Sequence, residues 1–152
     1  MTAADRRATV DGPGRVPSGA ARAGTSRTWT LPDLTGTAMT ANNRLHHHAR
    51  ARVTAEWRAL AAAHTRAAHI PHLAAAHILA TWLPADAGRR DPGNAYPMVK
   101  ACCDGIVDAG VLDDDDATHL TGPVMELGPV TPRGPFFRGT VTLRITITEV
   151  AR

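Results

Sequence analysis

Carboxylates crowd the middle of this chain. Asp91, Asp104, Asp108 and the run Asp113-Asp114-Asp115-Asp116 all lie between positions 91 and 116, with one lysine, Lys100, among them. Clustered carboxylates are what Mg²⁺ or Mn²⁺ requires, because hard cations take oxygen ligands and their charge offsets the repulsion between the acids. Two structural readings compete with this one. An acidic run by itself is usually a solvated loop, and Asp91 before Pro92 has the form of a turn or helix-capping residue.

The element that must position these groups is a helix over 97–109. Pro97 suits the first helical position and Gly110 the residue just past the end. Lys100, Asp104 and Asp108 then share one face at i, i+4 and i+8, while Val99, Cys102 or Cys103, and Ile106 form the apolar side. Asp108 in the last turn, with four aspartates soon after, sits against the negative end of the helix dipole. On sequence grounds this crowding adds nothing to stability. It points to an ion.

The run RDPGNAYPMVKACCDGIVDAGVLDDDD, residues 90–116, resembles the signature of the RusA-type Holliday-junction resolvases, in the form found in actinobacteria and their phages. That signature is Arg-Asp, a short spacer ending in Asn, Lys, Asp, Gly-Leu/Ile, a Gly-Val pair and a pair of Asp. The match covers about 26 positions in order and extends more weakly from Thr28 to the end. It implies a small homodimeric endonuclease that nicks four-way DNA junctions in recombination and repair, with Mg²⁺, or Mn²⁺, as cofactor.

By matching positions, the resemblance makes Asp91 and Asp115 metal ligands and Lys100 an essential basic residue. Asp104 becomes the helix acid after that lysine, and Asp114 the partner in the Asp-Asp pair. Asn42, Arg44 and His46 lie in an Asn-containing segment that in the family is near the active centre. With Arg50, Arg89, Arg90 and Asn94 they are the expected DNA contacts. The enterobacterial pattern has a second acid two residues after the first; here that position is Gly93, which implies a rearranged metal shell.

Length and composition bound the rest. A chain of 152 residues accommodates one core. The net charge of +3 is unevenly spread: residues 1–90 hold 12 Arg and 5 acids, 91–126 one Lys and 8 acids, and 127–152 four Arg and one Glu. Basic flanks around an acidic centre suit a protein that attracts a phosphate backbone and keeps a cation at the cleavage point. An Arg-, Ala- and Gly-rich composition also follows from a GC-rich genome. Adjacent Cys102 and Cys103 cannot form an ordinary disulfide and have no CxxC partner, so they read as reduced packing residues. No apolar run approaches a membrane span, and no signal core is present at the N-terminus. The expected location is the cytoplasm, with no membrane partner and no organic cofactor.

In chain order, residues 1–27 lack apolar periodicity and are expected to be a disordered tail, leaving a domain over 28–152. Residues 28–31 read as a strand and 32–40 as a loop. His46-His47-His48 suggests zinc only weakly, since consecutive residues do not share a helix face. Residues 49–68 read as an amphipathic helix with Val53, Trp57 and Leu60 inside and Arg50, Arg58 and Arg66 outside. Residues 77–83 read as a central strand, 118–125 as a strand, and 128–139 as a loop whose Arg133 and Arg138 are placed to clamp DNA. Val141, Leu143, Ile145 and Ile147 alternate with polar residues in the clearest strand pattern of the chain. The order β-α-β-α-β-β predicts a small α+β domain with a mixed sheet and packed helices. Two alternatives to the nuclease remain open: a junction-binding protein with weakened or lost catalysis, and a general structure-specific nuclease.

Overall fold

The computed structural model describes residues 26–151; the tail expected over 1–27 lies almost wholly outside the described residues. The elements are strands β1 (Thr28–Thr30) and β2 (Leu34–Thr37), helix α1 (His47–Ala67), strand β3 (Ala76–Leu83), helix α2 (Tyr96–Asp108), and strands β4 (Leu120–Leu127) and β5 (Thr140–Glu149). Short 3₁₀ turns occupy Pro92–Ala95 and Pro135–Phe137. The fold is α+β, a mixed sheet of five strands with two helices.

The sheet runs β1-β5-β3-β4, with β2 also paired to β5. β3 pairs antiparallel with β5 and parallel with β4, and α2 supplies the crossover that a parallel pair requires. β3 is central, as its apolar character predicts. Its Ile78 and Ala80 sit opposite Ile147 and Ile145, and all four are buried on one face with Leu143. The opposite face is rich in threonine: the Thr28 and Thr148, Thr30 and Thr146, and Thr35 and Thr142 hydroxyls meet across strands at 3.2, 3.3 and 2.8 Å.

The core lies between the apolar face and the two helices. Trp57 of α1 is fully buried and donates its indole N–H to the Thr37 carbonyl at 2.8 Å, tying the helix to β2. α1 and α2 cross where a glycine is required. A Cβ on Gly105 would stand 2.3 Å from the Arg58 carbonyl oxygen and 3.0 Å from the Ala61 methyl. α2 ends as its sequence predicts, with Gly110 at φ +81° just past the last turn.

The strand β2 differs from expectation, since residues 32–40 read as a loop. LTGT offers one apolar residue, and only pairing with β5 shows that Leu34 is buried there. β4 also starts two residues later than predicted.

Candidate functional site

α2 presents Lys100 and Asp104 one turn apart, and the loop after it turns back along the helix so that Asp115 reaches the same place. The Lys100 ammonium donates to Asp104 Oδ1 at 2.6 Å and to Asp115 Oδ2. All three side chains are partly exposed, Lys100 by 43 %. Partial burial opposes the ammonium charge, but the hydrogen bonds from the two carboxylates outweigh it and raise the Lys100 pKa above its ordinary value. The bond from Lys100 in turn holds the Asp115 carboxyl below the usual aspartate range. The result is an ion-paired triad drawn from positions fifteen residues apart, open to solvent on one side.

The other acids of the crowded stretch each have a partner nearby. Arg58 of α1 grips Asp108 with two bonds, at 2.5 and 2.8 Å, and Arg66 donates to the Asp108 carbonyl at 3.1 Å. Asp113 lies 2.9 Å from His72 Nε2. Asp116 accepts from Thr118 and stands 2.7 Å from His119 Nδ1, which lowers its pKa to about 2. Asp114 accepts from the Asp115 backbone N–H at 2.7 Å. The expectation that this crowding adds nothing to stability is therefore corrected. The acids at the end of α2 are answered by cations and donors of the protein itself.

Asp91 behaves as the capping alternative predicts. It precedes the 3₁₀ turn at Pro92–Ala95 and its carboxylate accepts from the Gly93 N–H at 2.8 Å. It makes no bond with Lys100, Asp104 or Asp115. A Cβ on Gly93 would stand 3.2 Å from the Asp91 carboxylate oxygen, tighter than ordinary van der Waals contact, so the carboxylate would have to give by a few tenths of an ångström.

The remaining expected contacts gather in part around this turn. The Ala41 N–H donates to the Asn94 carbonyl at 2.9 Å, so the 40–46 segment is docked on the turn that follows Asp91, with Asn42 and Arg44 exposed. His46 caps α1, its ring accepting from the His48 N–H at 3.4 Å. Arg50 is exposed on the first half of α1 and lines a shallow groove of about 480 Å³ with His47, Thr54 and Arg58. Arg89 is exposed, whereas Arg90 is held by Asp86 at 3.0 Å and lies over the Trp82 ring at 5.6 Å. Arg58 and Arg66, on the outer side of α1, fasten it to the end of α2 through Asp108.

For a divalent cation, the donor chemistry of Asp104 and Asp115 fits. Both offer carboxylate oxygens, and Mg²⁺ is commonly held by one or two carboxylates with water and phosphate oxygens completing its shell. The larger set of Asp91, Asp104, Asp114 and Asp115 does not assemble within one chain. Among the described residues no group of three His, Cys, Asp or Glu side chains is arranged to hold a metal ion. The two cysteines take no part: both are buried within α2, and burial pushes the Cys103 thiol up to about 12.

Among the described residues no helix is long and apolar enough to cross a membrane. No protein-family model matches the chain, and no curated protein matches it.

Proposed function

We propose that this chain is a Mg²⁺-dependent, structure-specific endodeoxyribonuclease of the RusA type that resolves Holliday junctions by paired nicks in recombination and repair. The observation that carries this reading is the convergence of Lys100, Asp104 and Asp115. The sequence motif singles out Asp91, Lys100, Asp104, Asp114 and Asp115, and of these Lys100, Asp104 and Asp115 meet in space.

On this reading Asp104 and Asp115 hold the cation, with Mn²⁺ as a substitute. When bound, Mg²⁺ supplies Lewis-acid charge to the phosphate and acidifies a water. The protein's own groups do the positioning. Lys100 stays protonated at neutral pH, keeps the two carboxylates side by side, and adds positive charge near the scissile phosphate. Asp91 fixes the turn that joins Asn94 to the 40–46 segment, and on this reading the exposed Asn42, Arg44 and Arg89 contact the DNA backbone. One such site cuts one strand, and a four-way junction needs two symmetric nicks, so the acting form is a two-fold homodimer. The cytoplasm, where the recombining DNA lies, is the compartment this reading requires.

A synthetic four-way junction tests it. The wild-type chain nicks opposite strands with Mg²⁺ and not with EDTA, and Asp115→Asn abolishes cutting while junction binding survives. Asp115→Asn cutting at the wild-type rate refutes the assignment. A second reading, a junction-binding protein with lost catalysis, is favoured by one observation: the Lys100 ammonium already occupies the space between the two carboxylates, and no third acid joins them among the described residues. Junction binding without cutting in any divalent ion selects it. Equal cutting of junction, flap and duplex DNA selects a general nuclease.

A further inference from the structure

The segment running from β4 into β5 holds most of the large apolar side chains that face solvent among the described residues. Val124, Leu127, Val130 and Phe137 are each more than 40 % exposed, and Phe136 is 97 % exposed. A phenylalanine with almost its whole ring in water gives up the burial worth about 1.5–3 kcal/mol that such a side chain gains in a core. The backbone carrying it is nevertheless anchored. Gly128 N–H donates to the Trp82 carbonyl at 2.8 Å, Thr131 N–H to the Pro84 carbonyl at 2.7 Å, and Arg133 bonds the Thr142 hydroxyl and the Thr140 carbonyl. The ring is thus held out by a fastened loop.

Pro135 and Phe137, the chain neighbours of Phe136, line a cavity of about 350 Å³ together with Ala85, Arg133, Gly134 and Arg138. Two arginines and no acid line it, which gives it the charge to take an anion. The Arg133 guanidinium is fixed at the cavity wall by its bonds to Thr142 and Thr140, with no acid among its partners in the described residues, so its charge is left to the cavity. Ala85 belongs to the same loop that continues through Arg89 to Asp91.

We propose that this cavity and Phe136 form a site for an unpaired nucleotide of a DNA strand, the base stacked on the Phe136 ring and the phosphate held by Arg138, with the fixed charge of Arg133 behind it. An exposed aromatic ring carried on the segment that lines a cavity with two arginines matches the two chemistries of a nucleotide at once. A flat π-face stacks regardless of sequence, and an anionic oxygen pairs with arginine. An acidic peptide would use the arginines and leave the ring idle. The choice of DNA as the anion rests on the function proposed above, but the site does not depend on cleavage. It adds a contact to the strand end or unstacked junction base, separate from Lys100, Asp104 and Asp115.

The test is fluorescence anisotropy of the full chain with a single-stranded oligonucleotide of about 15 nucleotides carrying 2-aminopurine, in about 50 mM salt with EDTA, so that binding is read without cutting. Phe136→Ala is expected to weaken binding by about 5- to 160-fold and to remove the change in 2-aminopurine fluorescence. Arg138→Ala is expected to weaken binding and lower its salt dependence by about one counterion. Unchanged thermal unfolding of Phe136→Ala confirms that an exposed ring, not the core, was altered. Phe136→Ala binding within twofold of wild type overturns the proposal, as does an abasic strand or polyglutamate that binds as tightly as the normal strand. Phe136-dependent strand binding by a chain that cuts no junction supports this site and refutes the nuclease. Junction cutting with Phe136-independent strand binding does the reverse.

Discussion

Replacing Lys100 by methionine tests the electrostatics of the triad, because the substitution keeps an unbranched stem of similar length, with sulfur in place of one methylene, and removes the ammonium. Two ion pairs are lost, and Asp104 and Asp115 are left facing each other without a counter-charge. Partly exposed pairs contribute about 0.2–1 kcal/mol each. With the carboxylate repulsion added, the loss is about 1–2 kcal/mol, a fall in Tm of about 2–8 °C for a chain of this size. The pH dependence follows from the shifts. The Asp115 pKa is lowered, so its share of stability is complete above the ordinary aspartate value of about 3.9 and is lost as pH falls through the native value. The Lys100 pKa is raised, so its share is complete below about 10.4 and is lost only as pH rises past that. The Tm difference between wild type and Lys100→Met is therefore flat from about pH 5 to 9 and narrows in acid.

The same variant tests the cation reading without any cutting assay. With the ammonium gone, the two carboxylates become a better seat for Mg²⁺. At about 10 mM MgCl₂ and a dissociation constant of about 1 mM, binding restores about 1.4 kcal/mol. Differential scanning fluorimetry in MgCl₂, against NaCl of matched ionic strength, reads this gain. If Mg²⁺ raises the Tm of Lys100→Met no more than NaCl does, the carboxylate pair is not a cation site and the argument for Mg²⁺ at Asp104 and Asp115 fails.

Further tests bear on the scaffold. Gly105→Ala improves helix propensity by about 1 kcal/mol, yet its Cβ would meet the Arg58 carbonyl at 2.3 Å. Separating α1 from α2 should win, with a net loss of about 1–3 kcal/mol in urea unfolding; a stabilised variant would show that the crossing is looser than described. Cys102 and Cys103 are buried with raised thiol pKa values, so neither should react with a thiol-specific disulfide reagent at pH 8 until denaturant is added. Immediate modification of the native chain would contradict their place in the core.

Local pattern was enough for much of this protein. The alternation of Val141, Leu143, Ile145 and Ile147, the spacing of Val53 and Trp57, and the bracketing of α2 by Pro97 and Gly110 each depend on neighbours a few residues away, and each is realised in the structure. β2 escaped because four residues with one apolar side chain carry no period; its identity comes from pairing with β5 more than a hundred positions later. The acidic stretch divides in the same way. Its composition and its one-sided helical face were readable, and so was the likelihood that an aspartate before Pro92 caps a turn. Which charge answers which acid was not, because Arg58 reaches Asp108 across fifty residues and Asp115 returns to Lys100 only when the loop after α2 folds back. Coulomb energy depends on distance through space, and in this chain the fold alone decides those distances.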